Sequence, residues 1–188
     1  MPNTALLALD TQTGIVAHLD NPNINEDLQR LSTTINKARS AGIKIVYVTT
    51  PFRPGYADLH DNFPSSGMIM ASNKFVDGDE TVQIHPADLP PGVKSMGEST
   101  DAIVTKRRVS AFAGTDLNLV LRCMGCDEIF FCGLVSSDAV LSTVRHGADL
   151  DYRLGVLGDG CMDRDPEVHD VLMDKVFSKK ARVVDSEE

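Results

Sequence analysis

Residues 129–150 read IFFCGLVSSDAVLSTVRHGADL. The first four are apolar without polar alternation, Gly133 opens a turn, and from Ala139 onward apolar residues recur at helical spacing. This is a strand, a tight turn and a helix, the unit from which parallel sheets are built. A strand with no alternation is one that helices cover on both faces. Working outward, similar runs lie at about 4–9, 43–49, 102–105, 127–132, 153–158 and 181–184, which predicts six strands. Helical patterns fall between them. One carries Asp27, Leu28, Leu31, Ile35 and Ala38 and stops at Gly42; others span Thr115–Met124, Ala139–Leu150 and Pro166–Val176, the last with proline in its first turn. The alternation predicts an α/β fold: a doubly wound six-stranded parallel sheet in a Rossmann-type three-layer sandwich. Such sheets bind ligands beyond the carboxyl ends of their strands.

Residues 51–100 break the rhythm. Pro51, Pro54, Pro64, Pro86, Pro90 and Pro91 punctuate a connection far longer than the ~12–15 residues at which loops become binding elements or lids. Phe52, Tyr56, Phe63, Met68, Ile69, Met70, Phe75 and Val76 give it too much apolar surface for a disordered linker. It is expected to cover the site or a partner subunit.

The 188 residues have the length of one domain, expected over 1–188, and 42% hydrophobic content is enough for a core without disulfides or metal staples. No apolar run approaches the ~20 residues of a membrane span. The opening MPNTALLALD has no basic segment and ends its apolar stretch in Asp10, so it reads as a first strand rather than a signal peptide, and a cytoplasmic location is expected. The four cysteines are expected to be reduced thiols. A formal net charge of -9 disfavours nucleic acid and anionic membranes as partners and points to a small molecule.

Strand ends supply the candidate residues. Asp10 closes the first strand in LLALDTQ, with Gln12 just beyond it. Lys106 follows the third strand in IVTKRRVSAF. An opposed carboxylate and ammonium in one crevice would tune each other's protonation. The turn after the fourth strand, with Ser136, Ser137 and Asp138, sets free backbone amides where an oxyanion could sit, although serine and aspartate at such a junction also serve as ordinary helix caps. Arg53, in TPFRPGY, suits a substrate carboxylate.

Three segments together, LLALDTQ, VTKRRVSAFAGTDL and FCGLVSSDAVLSTVRHGADLDYRLGVLGDGC, resemble the signature segments of the isochorismatase-like superfamily, the cysteine hydrolases, in order and spacing. The resemblance implies a catalytic triad of aspartate, lysine and cysteine. Asp10 and Lys106 match the first two, and the nucleophile position falls on Ala139. Phe112, Ser136, Ser137 and Asp138 join Gln12 and Arg53 as expected substrate contacts. Without a thiol, a thioester mechanism is closed to this chain. The family also contains true isochorismatases, in which a small residue replaces the cysteine and the aspartic acid protonates a vinyl ether. Cysteine-independent, acid-catalysed hydrolysis of an isochorismate-type vinyl ether is therefore the first expectation. The alternatives are an amide hydrolase inactivated at Ala139 and a silent binding or assembly protein. The resemblance also implies a homo-oligomer, dimer or tetramer, and no cofactor.

Other motifs carry less. Cys123 and Cys126 form a lone CxxC at a helix end, which reads as a pair of buried structural cysteines. Asp58 and His60 lack a further spaced histidine, so no metal is assigned. His146 and His169 lie in predicted helices. A serine hydrolase built on Ser136 or Ser137 lacks the G-x-S-x-G elbow and a histidine in a following strand-end loop.

Overall fold

The computed structural model describes residues 3–90 and 99–186. Its elements run β1 (Thr4–Leu9), α1 (Thr13–Val16), α2 (Ile24–Ser40), β2 (Lys44–Thr49), α3 (Ser66–Ser72), β3 (Ala102–Thr105), α4 (Leu117–Cys123), β4 (Glu128–Leu134), α5 (Leu141–Asp149), β5 (Arg153–Met162), α6 (Pro166–Val171) and β6 (Arg182–Val184). The sheet order is β3-β2-β1-β4-β5-β6, with every pairing parallel. The chain winds outward from β1 in one direction and from β4 in the other. The strand order therefore reverses between β1 and β4, where a crevice opens at the carboxyl edge.

Each strand sends alternate side chains to two separate cores. Ala5, Leu7, Leu9, Val46 and Val48 pack against Leu117 and Leu121 of α4, Val144 of α5, and Met173 and Phe177 beyond α6. Leu6, Ala8, Ile45 and Tyr47 face the other way, onto Leu28, Leu31 and Ile35 of α2. Those three lie at i, i+3 and i+7 on one helix face, and burying each contributes about 1.5–3 kcal/mol. The acidic residues Glu26 and Asp27 open α2 and Lys37 and Arg39 close it, in the sense the helix dipole favours. Gly42, at φ 79°, ends it in a Schellman turn: Ile43 N donates to Ala38 O and Gly42 N to Arg39 O, both at 3.0 Å. Among the described residues no helix is long and apolar enough to cross a membrane.

Two elements depart from the sequence reading. β5 continues to Met162 instead of stopping near 158, because its ladder with β4 is interrupted: Phe131 pairs with Val156, but Gly133 pairs with Cys161. The intervening Gly158-Asp159-Gly160 swings out, and Asp159 accepts hydrogen bonds from Ser186 N (2.9 Å) and the Ser186 hydroxyl. The last two helices are also not uniform. A π-helical turn at Ser136–Val140 precedes α5, and α6 passes into a π-helical stretch at Leu172–Val176 and a 3-10 turn at Phe177–Lys179.

The long connection folds back onto the sheet edge. Phe52 bridges to Val76, and Ile84 bridges to Gln12. Thr13 N donates to Gln83 O at 2.9 Å and His85 N to Thr11 O at 2.7 Å. The connection thus covers the exit of β1. Its residues 91–98, including Pro91, lie outside the described residues.

Candidate functional site

Asp10 leaves β1 with φ 54°, a left-handed conformation that aspartate tolerates better than most residues. Its amide still donates to Val48 O at 2.9 Å, so the residue stays fastened to β2 while its side chain turns into the crevice. Lys106 is held similarly from the other side, its amide donating to Thr49 O at 2.8 Å. β2 separates the two strands, yet the side chains meet over its end: Lys106 Nζ stands 2.9 Å from Asp10 Oδ2. Asp10 Oδ1 accepts from the Thr50 hydroxyl at 2.7 Å. Asp10 is 6% exposed and Lys106 4%, so the pair is almost sealed from solvent. Burying two charges is costly unless they pair and their remaining hydrogen-bond positions are filled, and here Thr50 fills one.

The turn after β4 brings Ala139 to the same edge. Ala139 is buried, and its carbonyl accepts from Thr143 Oγ1 at 2.7 Å. Thr143 Oγ1 in turn accepts from Ala111 N at 3.0 Å, which ties the turn to the segment that carries Lys106. The amides expected to be free are partly committed. Ser137 N donates to Asp163 Oδ2 at 2.7 Å, and Asp138 N donates to Val135 O at 3.1 Å. Asp138 is exposed at the turn, but partial desolvation on its protein-facing side pushes the carboxyl pKa up, as do the Asp10 and Asp163 charges, while Lys106 and Arg164 pull it down.

The remaining candidates have other partners. Gln12 is fully buried: its Oε1 accepts from Thr50 N at 2.7 Å and its Nε2 donates to Val82 O at 3.1 Å. It fastens the long connection to the residue that follows β2. Phe112 is a core residue, stacked on Tyr152 at 5.8 Å and beside His146 at 5.4 Å. Ser136 is fully buried, donating to Met162 O at 3.2 Å, with His169 Nδ1 2.9 Å from its hydroxyl. A histidine partner does exist, on α6. Whether the ring nitrogen donates to the Ser136 hydroxyl or accepts from it follows the tautomer of His169. In the structure these three side chains serve in packing and fastening.

Arg53 lies at the rim, 64% exposed, 3.7 Å from Asp58 Oδ2. Arg107 also pairs with Asp58, and Arg108 donates to Asp58 O at 3.0 Å while its guanidinium covers Phe63 at 5.8 Å. Asp58 is thus the anchor of an arginine cluster next to Lys106. Its neighbour His60 accepts from Asn62 N at 3.0 Å through Nδ1.

The cysteines stand away from this chemistry. The Cys132 thiol faces Leu7 O and the Cys161 thiol faces Phe131 O, and burial pushes both up, Cys161 to about 12. Cys126 is buried, but Cys123 is exposed, which corrects the expectation of a buried pair. Thr50 and Asp163 were not singled out from the sequence. Thr50 follows the end of the second strand as read from the sequence, and the same rule would have found it; Asp163 was hidden because the fifth strand was expected to stop near 158.

Comparison with known proteins gives a consistent result. The isochorismatase domain profile matches residues 4–188. The Escherichia coli isochorismatase family protein YecD is 29% identical, over 98% of this chain and 93% of its own. The ureidoacrylate amidohydrolase RutB of Acinetobacter baylyi is 26% identical, over 88% of this chain and 74% of its own. A solved isochorismatase family protein from Burkholderia thailandensis superposes with a TM-score of 0.81 at 25% identity, covering 100% of this chain and 93% of that one.

Proposed function

The chain belongs to the isochorismatase family of hydrolases, and within that family we propose that it hydrolyses a small carboxylate-bearing molecule by direct addition of water, with no covalent enzyme intermediate. The observation that supports this reading is the sealed Asp10–Lys106 pair beside a turn whose nucleophile position is Ala139. A methyl group forms no thioester. Neither do Cys132 and Cys161 replace it, since their thiols face main-chain carbonyls and burial disfavours the thiolate.

An isochorismate-type vinyl ether fits such a site. Its cleavage requires one proton and one water, and no nucleophile from the protein. Arg53, Arg107 and Arg108 beside Lys106 form a cationic rim on a chain of net charge -9, so an anionic substrate is drawn to this edge and repelled elsewhere. Arg53, exposed and only loosely paired, is the guanidinium best placed to take a substrate carboxylate. Incubation of the purified protein with isochorismate, followed by chromatography for pyruvate, tests the reading. Pyruvate release above the spontaneous rate is expected, and its absence from folded protein overturns the proposal.

The likeness to RutB supports a second reading, an amide hydrolase architecture that has lost its thiol. The turn after β4 remains fully tied, through Thr143 and Asp163, around a residue that cannot attack.

A further inference from the structure

The long connection and α1 enclose, against the sheet, a cavity of about 580 Å³, within the ~300–1,000 Å³ typical of small-molecule sites. Thr49 of β2 and Ile103 of β3 form its sheet side. Ile103 stands opposite Tyr47 in the ladder and Thr49 lies two residues beyond Tyr47, so both share the face that α2 covers. None of Asp10, Lys106 and Ala139 lines this cavity. The fully buried Gln12 amide stands between the two places: its Nε2 donates to the carbonyl of Val82, which lines the cavity, and its Oε1 accepts from Thr50 N, whose residue donates its hydroxyl to Asp10. The cavity is therefore separate from the crevice.

Lys74 and Glu80 both line it, and among the described residues neither the ammonium nor the carboxylate has a hydrogen bond or an ion pair. Their main chains are nonetheless fixed. Lys74 O accepts from the Tyr56 hydroxyl at 2.8 Å, and Glu80 O accepts from the Thr13 hydroxyl at 2.5 Å. The His18 ring is held as a wall, with Nδ1 donating to Gly14 O at 2.6 Å and Phe75 6.1 Å away. Solvated lysines and glutamates are common on any surface. Here, however, the two opposite charges share one concavity with an apolar lining. Val82 and Ile84 are buried in it, whereas Ile103, 46% exposed, is one of the few large apolar side chains that the fold leaves uncovered.

We propose that this cavity is a second ligand site, which binds a free amino acid with an apolar side chain. The ligand carboxylate pairs with Lys74, its ammonium pairs with Glu80, and its side chain covers Ile103. The charge pattern selects this class. A simple anion would leave Glu80 unmatched and be repelled by it, and a simple amine would meet the same obstacle at Lys74. A zwitterion answers both charges at once, through charge-assisted hydrogen bonds that are stronger than neutral ones. The apolar lining then separates an amino acid that brings a hydrocarbon side chain from one that does not. The site stands independently of the vinyl-ether reading, because it uses no residue of the crevice.

Isothermal titration calorimetry of the purified protein with L-leucine and L-phenylalanine tests the assignment. Glycine, isocaproate and isoamylamine serve as probes that lack the side chain, the ammonium and the carboxylate in turn. At least one of the two amino acids is expected to bind with one-to-one stoichiometry, and each of the three probes about 10–100-fold more weakly. Lys74→Gln and Glu80→Gln should each weaken the amino acid by a similar factor, with circular dichroism showing an unchanged fold. Ile103→Thr should narrow the gap between that amino acid and glycine. Absence of saturable heat with both amino acids would overturn the proposal, as would binding that neither Lys74→Gln nor Glu80→Gln alters. Isocaproate or isoamylamine binding as tightly as the amino acid would overturn the zwitterion. Loss of binding in Arg53→Gln with full retention in Lys74→Gln would move the ligand to the Asp10 crevice and overturn the second site.

Discussion

A Cβ placed on Gly133 would stand 2.1 Å from Leu9 O, closer than any side chain can approach a carbonyl. Gly133 also sits at φ 114°, where an L residue is strained. The last pairing between β1 and β4 therefore depends on a missing side chain, and both Asp10 and the Ala139 turn hang from it. Gly133→Ala is expected to destabilise the fold by roughly 2–4 kcal/mol, read as a lower urea midpoint. An unchanged midpoint would contradict the close approach.

The Asp10–Lys106 pair is predicted to matter more when broken than when removed. Lys106→Met leaves a carboxylate buried without its partner and should cost about 3–5 kcal/mol. The double variant with Asp10→Asn should regain a large part of that loss. A double-mutant cycle by chemical denaturation measures the coupling, and additive losses would contradict it.

Asp88 gives a pH dependence with a definite sign. It is 2% exposed, among the described residues neither carboxyl oxygen has a hydrogen-bond partner, and the Tyr47 hydroxyl donates to its main-chain carbonyl at 2.5 Å. Burial pushes its carboxyl up from the ordinary aspartate range to about 7. Below pH ~4 the group is protonated whether the chain is folded or not, and stability is full. As pH rises toward 7 only the unfolded chain ionises, so stability falls through that window and levels off above it. Asp88→Asn should flatten this decline, as seen in urea midpoints between pH 4 and 8. A decline of the same slope in the variant would exclude Asp88 as its source.

Ala139→Cys tests whether the turn still presents a side chain to chemistry. In a Cys123→Ser background, which removes the exposed native thiol, the introduced thiol is expected to react with iodoacetamide at least ten times faster than the buried native thiols. Gain of ureidoacrylate or small-amide hydrolysis by that variant would favour the second reading of function. Alkylation without any amide turnover would favour the cysteine-free one.

All six strands were legible because each is a short apolar run between turn residues, and the strand-end rule picked out Asp10 and Lys106 before any contact was known. The extension of β5 was not legible, since Gly158-Asp159-Gly160 has the composition of a loop and becomes a bulge only because Ser186 returns to hold Asp159. Gln12, Phe112 and Ser136 have protein partners that were not legible for a related reason. Each lies in or beside a signature segment, but its partner, whether Val82, Tyr152 or Met162, comes from a distant part of the chain. Local pattern shows which residues approach an edge; only tertiary docking decides which of them are spent there.

The Gln12 side chain has a bearing on traffic as well as on architecture. One amide group, itself fully buried, grips Thr50 just past β2 with its oxygen and Val82 of the long connection with its nitrogen. To swing that connection aside would leave the Gln12 amide nitrogen and the Val82 carbonyl unpaired, at about 1–3 kcal/mol for each. Beside Gln12 the connection is a buttress, not a door.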